Sequence, residues 1–353
     1  MTTRYSADAL TAFAIALLVE AGLDTDKAEA TARILVEGDL MGHSTHGLQL
    51  LGGYLGEVEA GRMAKSGTPI VLAERPAALT WDGGCLPGPW LALEAIDAAI
   101  ERAKIYGTGT VAIRRSHHIG CLAAYPLRAI EQGMALLLAC SDPAAGSVAP
   151  FGAIAGRYTP NPIAGGWPLE EDDAVIFDIS ASTTTNGMVN RLNRLGQGGK
   201  LGGPWLVDNQ GNATDDPACF LADPPGAILP LGGMDLGHKG FALGLLVEML
   251  TSALSGHGRA DAPKQWGASV FVQVIDPAAF GGREAFQRET EWLGRACRTA
   301  PVKPGDPAVR LPGERGLKLR REQQQSGVAL HPEIMPSLKP WAEKLGVPLP
   351  ATI

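Results

Sequence analysis

The chain has 353 residues, of which 45% are hydrophobic, 19% charged and 6% aromatic, and its formal net charge is −7. That is apolar enough to bury one or two cores and excludes a disordered chain. The 45 glycines and 26 prolines follow no G-X-Y period, which excludes collagen and favours a loop-rich globular enzyme. A mildly acidic chain without a basic stripe is a poor partner for nucleic acid or for an anionic membrane.

The cysteines (Cys85, Cys121, Cys140, Cys219, Cys297) are scattered and odd in number, with no CxxC pair. They read as buried, reduced thiols of a cytoplasmic protein, with neither a disulfide framework nor a metal site. The first residues lack the charged-then-apolar plan of a signal peptide. The apolar run from Ala9 to Val19 is too short to span a bilayer.

In chain order, Leu10, Phe13, Ala14, Leu17 and Leu18 make one helical stripe, with Ser6 placed to cap it and Gly22 to end it. A second helix is predicted from Asp24 or Thr25, burying Ala28, Ala32, Leu35 and Val36, and stopping near Gly42. The spacing of Ala92, Ala95, Ile96, Ala99, Ile100 and Ala103 predicts a third, with Pro89 in its first turn. Thr110–Ile113 reads as a short buried strand. The polar turn Arg114–Gly120 follows, then a helix through about Gln132, then a strand over Ala135–Cys140. This is a βαβ rhythm, in which ligands sit beyond the carboxyl ends of the strands. His118 and Ser141 each follow a strand end, so both are expected at one edge. Further on, Val175–Ile179 and Val270–Ile275 read as strands, and Arg191–Pro217 as a loop excursion. Phe241–Leu254 reads as a helix buried on most sides, and Leu317–Gln325 as a polar helix.

The usual nucleotide signatures are missing. No G-x-G-x-x-G follows a strand, Gly199-Lys200 lacks the P-loop hydroxyl, and neither G-x-S-x-G nor H-E-x-x-H occurs. The histidines are more telling. Of seven, five fall in three glycine-flanked groups: His43/His46, His117/His118, and His238 beside Lys239. An imidazole in a turn at a cleft exchanges protons near neutrality. Gly237-His238-Lys239-Gly240 is expected to open the long helix, where free N–H groups and a lysine would hold an anion. Asp178 ends a strand and precedes Ser180-Ala181-Ser182-Thr183-Thr184-Thr185, whose hydroxyls suit ribose or phosphate oxygens, or equally a cap or turn.

Six segments in order resemble one family. Asp39-Leu40-Met41-Gly42-His43-Ser44-Thr45-His46-Gly47 with Tyr54 and Gly61 is similar to "D-L-R-G-x-x-S-H-G…Y…G". Ser116-His117-His118-Ile119-Gly120 resembles "S-N-H-F-G", and Asn161-Pro162-Ile163-Ala164 the end of "G-T-N-P-I-A". Asp178–Ser182 resembles "D-M-A-T-S". Leu231-Gly232-Gly233 through Gly237–Phe241 resembles "L-G-G…G-x-K-G-Y", and Leu311–Arg315 the late "x-P-G-E". These are motifs of the malate/L-lactate dehydrogenase family that is unrelated to Rossmann-type enzymes. It includes ureidoglycolate and sulfolactate dehydrogenases, diketogulonate reductase and the piperideine/pyrroline-2-carboxylate reductases.

The resemblance implies a distinctive, non-Rossmann α/β fold with N-terminal helices and a central cofactor-binding domain. It implies hydride transfer between NAD or NADP and a small 2-keto/2-hydroxy acid or cyclic 2-imino acid, at a site near a homodimer interface. The domains expected are 1–115 with 300–353 for substrate and dimerisation, and 116–299 for the cofactor. By residue carry-over, His118 or His46 is the acid/base, with Ser44, Thr45, Arg115 and His117 at the substrate. Ser141, Asp178, Ile179, Ser180, Ser182, His238, Lys239, Gly313, Glu314 and Arg315 line the cofactor.

The chain also departs from the family pattern. The arginine that typically grips the substrate carboxylate is Leu50 here, and "N-S-N-H" has become Arg115-Ser116-His117-His118. "G-T-N-P" has become Thr159-Pro160-Asn161-Pro162, and a lysine often found after "D-M-A-T-S" is Met188. One expectation is that Arg115 or His117 has taken over the carboxylate. Another is an apolar substrate pocket, or a cofactor-binding member without activity on acids. A zinc-dependent lyase or hydrolase built on the paired histidines is a weaker alternative. Arg191, Arg194 or Arg315 is the candidate contact for a 2′-phosphate.

Overall fold

The computed structural model describes residues 3–170, 173–196 and 198–353. Strand β1 (Arg4–Tyr5) leads into α1 (Ala7–Glu20), where the Ser6 hydroxyl accepts the Ala9 N–H at 3.0 Å and the whole expected stripe is buried. Helix α2 (Thr25–Leu40) packs on α1 and is followed by α3 (Leu51–Glu59). Next come β2 (Ile70–Arg75), β3 (Ala78–Asp82) and α4 (Gly88–Tyr106), the last with a proline in its first turn and Gly107 at φ 80° as its stop.

Strand β4 (Thr108–Ser116) precedes the single-turn helix α5 (Leu127–Ile130) and β5 (Ala135–Ser141). The helix expected through Gln132 is therefore reduced to one turn, preceded by a 3₁₀ turn at Leu122–Ala124. Pro126 lies between the two turns and donates no N–H to continue the first one. Then follow β6 (Ile163–Pro168), β7 (Ala174–Ile179), α6 (Asn186–Leu195), β8 (Leu206–Val207), β9 (Ala213–Thr214), β10 (Ala227–Ile228) and α7 (Gly233–Glu248). The chain closes with β11 (Ala268–Ile275), α8 (Arg283–Arg298), α9 (Glu314–Ser326), β12 (Val328–Ala329) and α10 (Ile334–Leu345).

Seven strands form one mixed sheet in the order β2-β3-β4-β11-β5-β6-β7. β4 and β5 are not neighbours. β11 lies between them and runs antiparallel to both, pairing Ala268 with Ser116 and Ser269 with Ser141. The ends of β4 and β5 therefore lie at one edge, as the alternation of elements predicts, although the strand between them arrives from far along the chain. The expected domain limit at 115/116 falls at the end of β4, within this sheet. β2 to β4 come from one side of the limit and the remaining strands from the other.

Two cores support the sheet edge. One lies between α4 and the sheet, with Leu91, Ile96, Val111, Ile113, Leu138 and Val272 among its buried residues. The other is helical, where Leu10, Leu17, Leu35, Leu51, Leu55 and Leu338 bring α1, α2, α3 and α10 together.

Helix α7 corrects two expectations. It begins at Gly233, so Gly237–Gly240 lies in its second turn and Lys239 is not at its N-terminus. Nor is it buried on most sides. Its buried residues are Gly237, Gly240, Gly244 and Val247, while Leu236 (50%), Leu245 (52%), Leu246 (43%) and Met249 (44%) are exposed. The helix seats on the protein through its glycines. A Cβ on Gly240 would sit 2.2 Å from the Leu231 nitrogen, and one on Gly244 2.6 Å from the Tyr158 ring. An all-round apolar pattern does not by itself say which neighbour covers the outer face.

Candidate active site

The loop between α2 and α3 is built on a buried carboxylate. Asp39 accepts the Leu48 N–H at 2.7 Å, and a Cβ at Gly47 would fall 2.4 Å from its carboxyl carbon. Glycine is required there because the backbone passes against the carboxylate. Burial pushes Asp39 up to about 7. The loop thereby presents Thr45 and His46, whose Nδ1 lies 2.9 Å from the Thr45 hydroxyl. Burial drives His46 down to about 4, with the charges of His43 and Arg191 adding to the effect.

His118 is presented from beyond the end of β4. Arg115, at φ 51°, turns the chain there. The His118 Nδ1 accepts the Gly120 N–H at 3.1 Å and lies 2.8 Å from the Tyr54 hydroxyl. With Nδ1 occupied as an acceptor, the neutral ring carries its proton on Nε2. Burial holds His118 down to about 3, and the nearby His46 and His117 push the same way. The His46 and His118 rings lie 6.2 Å apart between centroids at 23°, and Trp266 packs on His118 at 5.2 Å.

Both histidines line a cavity of about 1480 Å³ at the sheet edge. Of the residues expected at the site, it gathers Thr45, His46, His118, Ser141, Asp178 and Ser180, with Arg194 of the three arginines expected near a 2′-phosphate. Ser141 is at the end of β5, its hydroxyl 2.8 Å from that of Thr251. Asp178, in β7, accepts the Ala123 N–H at 2.9 Å and so ties the 3₁₀ turn to the sheet. Its pKa is raised by burial, against the pull of His43. The hydroxyl run after it builds its own turn, with Ser180 donating to the Ser182 carbonyl at 3.2 Å and Ser182 to the Thr184 carbonyl at 2.7 Å. Thr185 caps α6 by accepting the Met188 N–H at 3.3 Å.

Other expected residues lie elsewhere. Arg115 is half-exposed and pairs with Asp82 at 2.8 Å. His117 is fully buried behind His118, against Trp266 and 3.6 Å from Glu57, with neither ring nitrogen hydrogen-bonded. Ser44 sits behind the wall and accepts a hydrogen bond from Arg191 at 3.2 Å. Ile179 and Ser182 flank the lining residues, with Ile179 44% exposed. His238 and Lys239 are exposed, and His238 meets Phe151 edge-on at 5.7 Å. Gly313 is the N-cap of α9, Glu314 pairs with Arg298, and Arg315 is exposed. None of these three borders the cavity.

Several lining or supporting residues were not singled out as site residues. Tyr54 belongs to a quoted motif, yet nothing in its spacing shows that its hydroxyl reaches a histidine 64 residues later. Asn161, at φ 46°, is fully buried and donates to the Gly244 carbonyl at 3.1 Å and to Glu248 at 2.9 Å. Trp266 and Gln49 carried no sequence signal at all.

The cavity exceeds the roughly 300–1,000 Å³ usual for a small-molecule pocket, which leaves room for a dinucleotide and a small acid together. The Ser147 hydroxyl and the Asn186 side-chain oxygen lie buried along it without hydrogen-bond partners, as polar groups awaiting a ligand would. The residues present therefore fit a nicotinamide cofactor. A desolvated imidazole pair at a strand edge, beside such a cleft, places two proton-exchanging groups where a bound substrate would lie.

The comparisons agree. A profile of the malate/L-lactate dehydrogenase family matches residues 5–339. The chain is 30% identical over 340 residues to an L-lactate dehydrogenase of Cupriavidus necator, covering 95% of each chain. It is 32% identical over 322 residues to a Δ1-pyrroline-2-carboxylate reductase of Ancylobacter novellus, covering 89% of this chain and 90% of that one. Among solved structures, malate dehydrogenase from Entamoeba histolytica superposes with a TM-score of 0.91 at 25% identity, over 99% of this chain and 100% of that one. The chain belongs to the malate/L-lactate dehydrogenase family, whose members are NAD(P)-dependent dehydrogenases and reductases.

Proposed function

We propose that this protein moves a hydride between NAD or NADP and a small 2-keto/2-hydroxy acid or a cyclic 2-imino acid, with His46 and His118 at the reacting carbon. The observation that carries this reading is the imidazole pair, 6.2 Å apart between centroids, at the strand edge that lines the large cavity. When bound, the nicotinamide supplies or accepts the hydride.

The two histidines take different roles. The Gly120 N–H on Nδ1 fixes His118 as an Nε2–H donor, which suits it to polarise a carbonyl or imine and to hold the developing negative charge. His46 has a hydroxyl partner that can donate or accept, so it is free to change its proton inventory. A substrate carboxylate beside it raises its low pKa and equips His46 to deliver a proton in reduction and to take one in oxidation. Ser147, Ser180, Thr183 and Thr184, with Asn186, are the groups offered to the cofactor. In this reading 1–115 with 300–353 bear the substrate end, and 116–299 the cofactor end.

The protein works as a homodimer in the cytoplasm. The exposed apolar face of α7 at Ala242, Leu245 and Leu246, continued by Met249 in the turn that follows, has the i, i+3, i+4, i+7 spacing of a packing stripe, which supports the dimer. Five free cysteines support a reducing compartment. Among the described residues, no helix is long and apolar enough to cross a membrane.

The test is turnover at the nicotinamide absorbance across 2-keto, 2-hydroxy and cyclic 2-imino acids with both cofactors. Reduction of at least one class is expected. Nicotinamide binding without turnover of any acid would instead support a family member that has lost this chemistry.

A further inference from the structure

The lost family arginine at Leu50 leaves the site without its usual hold on an acid. Neither replacement expected from the sequence lines the cavity, since Arg115 is spent on Asp82 and His117 is sealed behind His118. A different cation lies just behind the lining, in contact with Gln49, which belongs to it. Arg191 projects from α6 and is only 7% exposed. Among the described residues, no carboxylate lies within ion-pair distance of its guanidinium. Its Nη1 donates to the Ser44 hydroxyl at 3.2 Å, its Nε to the Gln49 side-chain oxygen at 3.0 Å, and its Nη2 to that same oxygen.

A buried guanidinium hydrogen-bonded only to neutral oxygens is costly, because burial penalises the charge, and Glu333 and Asp39 act on it only from beyond ion-pair distance. The arrangement makes sense if an anion completes it. The edge of the guanidinium that carries Nε and Nη2 matches a carboxylate with two parallel hydrogen bonds, and one amide oxygen now occupies it. Gln49 lines the cavity, and so do Thr45 and His46, the residues that follow Ser44. Asn190 and Arg194, on either side of Arg191 along α6, line it too.

We propose that Arg191 is the anchor for the substrate carboxylate, with the Gln49 amide oxygen standing where one carboxylate oxygen would bind. The inference rests on the functional reading above and adds the recognition element that reading lacks. The family's arginine comes from the loop before α3. This chain supplies the same charge from α6, whose Arg191 reaches that same loop at Ser44 and Gln49, so its acid lies against the Ser44–His46 loop. The 2-carbon of an acid held there falls beside His46. Leu50, Trp266 and Trp341, which line the same cavity, then face the rest of the substrate. That favours a monocarboxylate with an apolar body over a dicarboxylate.

The experiment uses the whole protein with two variants, Arg191→Met and Gln49→Glu. The second keeps the arginine and fills its fork with a built-in carboxylate, so a folding defect in the first does not decide the matter. Binding of oxamate to the NADH complex is read by nicotinamide fluorescence, beside KM for the best 2-oxo or imino acid and for its carboxamide. Both variants are expected to weaken oxamate and raise the acid KM about 100-fold, the loss of a charge-assisted pair. NADH affinity stays within about twofold, and the preference of acid over carboxamide disappears.

Unchanged oxamate binding in Gln49→Glu, or retained acid preference in either variant, overturns the proposal. So does a loss confined to NADPH, which would make the anion a 2′-phosphate. Wild-type protein that binds oxamate but turns over no acid would sink the functional reading and leave the anchor standing.

Discussion

The wall around His46 and His118 and the outer face of α7 look alike in the sequence. Each has histidine between glycines beside an apolar helix, and each was expected to meet the ligand. The first is desolvated by its own chain. Tyr54, Trp266 and the Asp39-based loop enclose the rings, and burial drives both imidazoles well below 6.5. The second is left open. His238 and Lys239 stand in solvent. What separates them is not residue type but what excludes water from it, and this decides whether an imidazole becomes a tuned chemical group.

The comparison breaks first at the histidines. His46→Ala and His118→Ala are each expected to lower kcat/KM by about 10²–10⁴-fold, with nicotinamide binding preserved by fluorescence titration. A loss under tenfold in both would remove the buried wall from the chemistry.

On the open side, the double substitution Leu245→Asp with Leu246→Asp puts two charges on the exposed face of α7. Light scattering should report a dimer becoming a monomer. An unchanged mass would show that this face is not the one a second copy covers.

Acid titration sharpens the contrast. His118 has a folded pKa of about 3 against 6.5 in the unfolded chain. Between those values the unfolded chain takes up a proton that the folded chain refuses, so this group costs stability as pH falls below 6.5. Asp39, raised to about 7, acts in the opposite sense, so the measurement is differential. Between pH 7 and pH 5 the thermal midpoint of His118→Gln should fall less than that of the wild type. Parallel curves would mean that His118 is not held neutral.

The smallest effect is expected at Lys239→Ala. A solvated lysine outside the cavity should change nicotinamide affinity by less than about twofold. A tenfold loss would return α7 to the cofactor site.

Much of the fold is legible because periodicity reports burial directly. The α1 stripe, the placement of Pro89 and the strands expected over 110–113 and 135–140, which run over 108–116 and 135–141, all follow from local pattern. Helix α7 starts upstream of the glycine pair that resembles an N-terminus, because Gly232, at φ 102°, is its N-cap. The helix after His118 was overextended because apolar spacing does not register how short a connection the sheet permits. At the site, the histidines were legible as residue types in turns. Tyr54 and Trp266 were not, because their roles come from neighbours far away in the chain.

The sequence by itself determined the family, the helices and strands, and the imidazoles available at a strand edge, since motifs and hydrophobic periods are local properties. Only the tertiary structure decided which histidines lose their water and which proton His118 keeps. It alone sealed Arg191, 7% exposed, into the wall beside Gln49. Desolvation and charge pairing are sums over atoms that the fold brings together, and no window of sequence contains them.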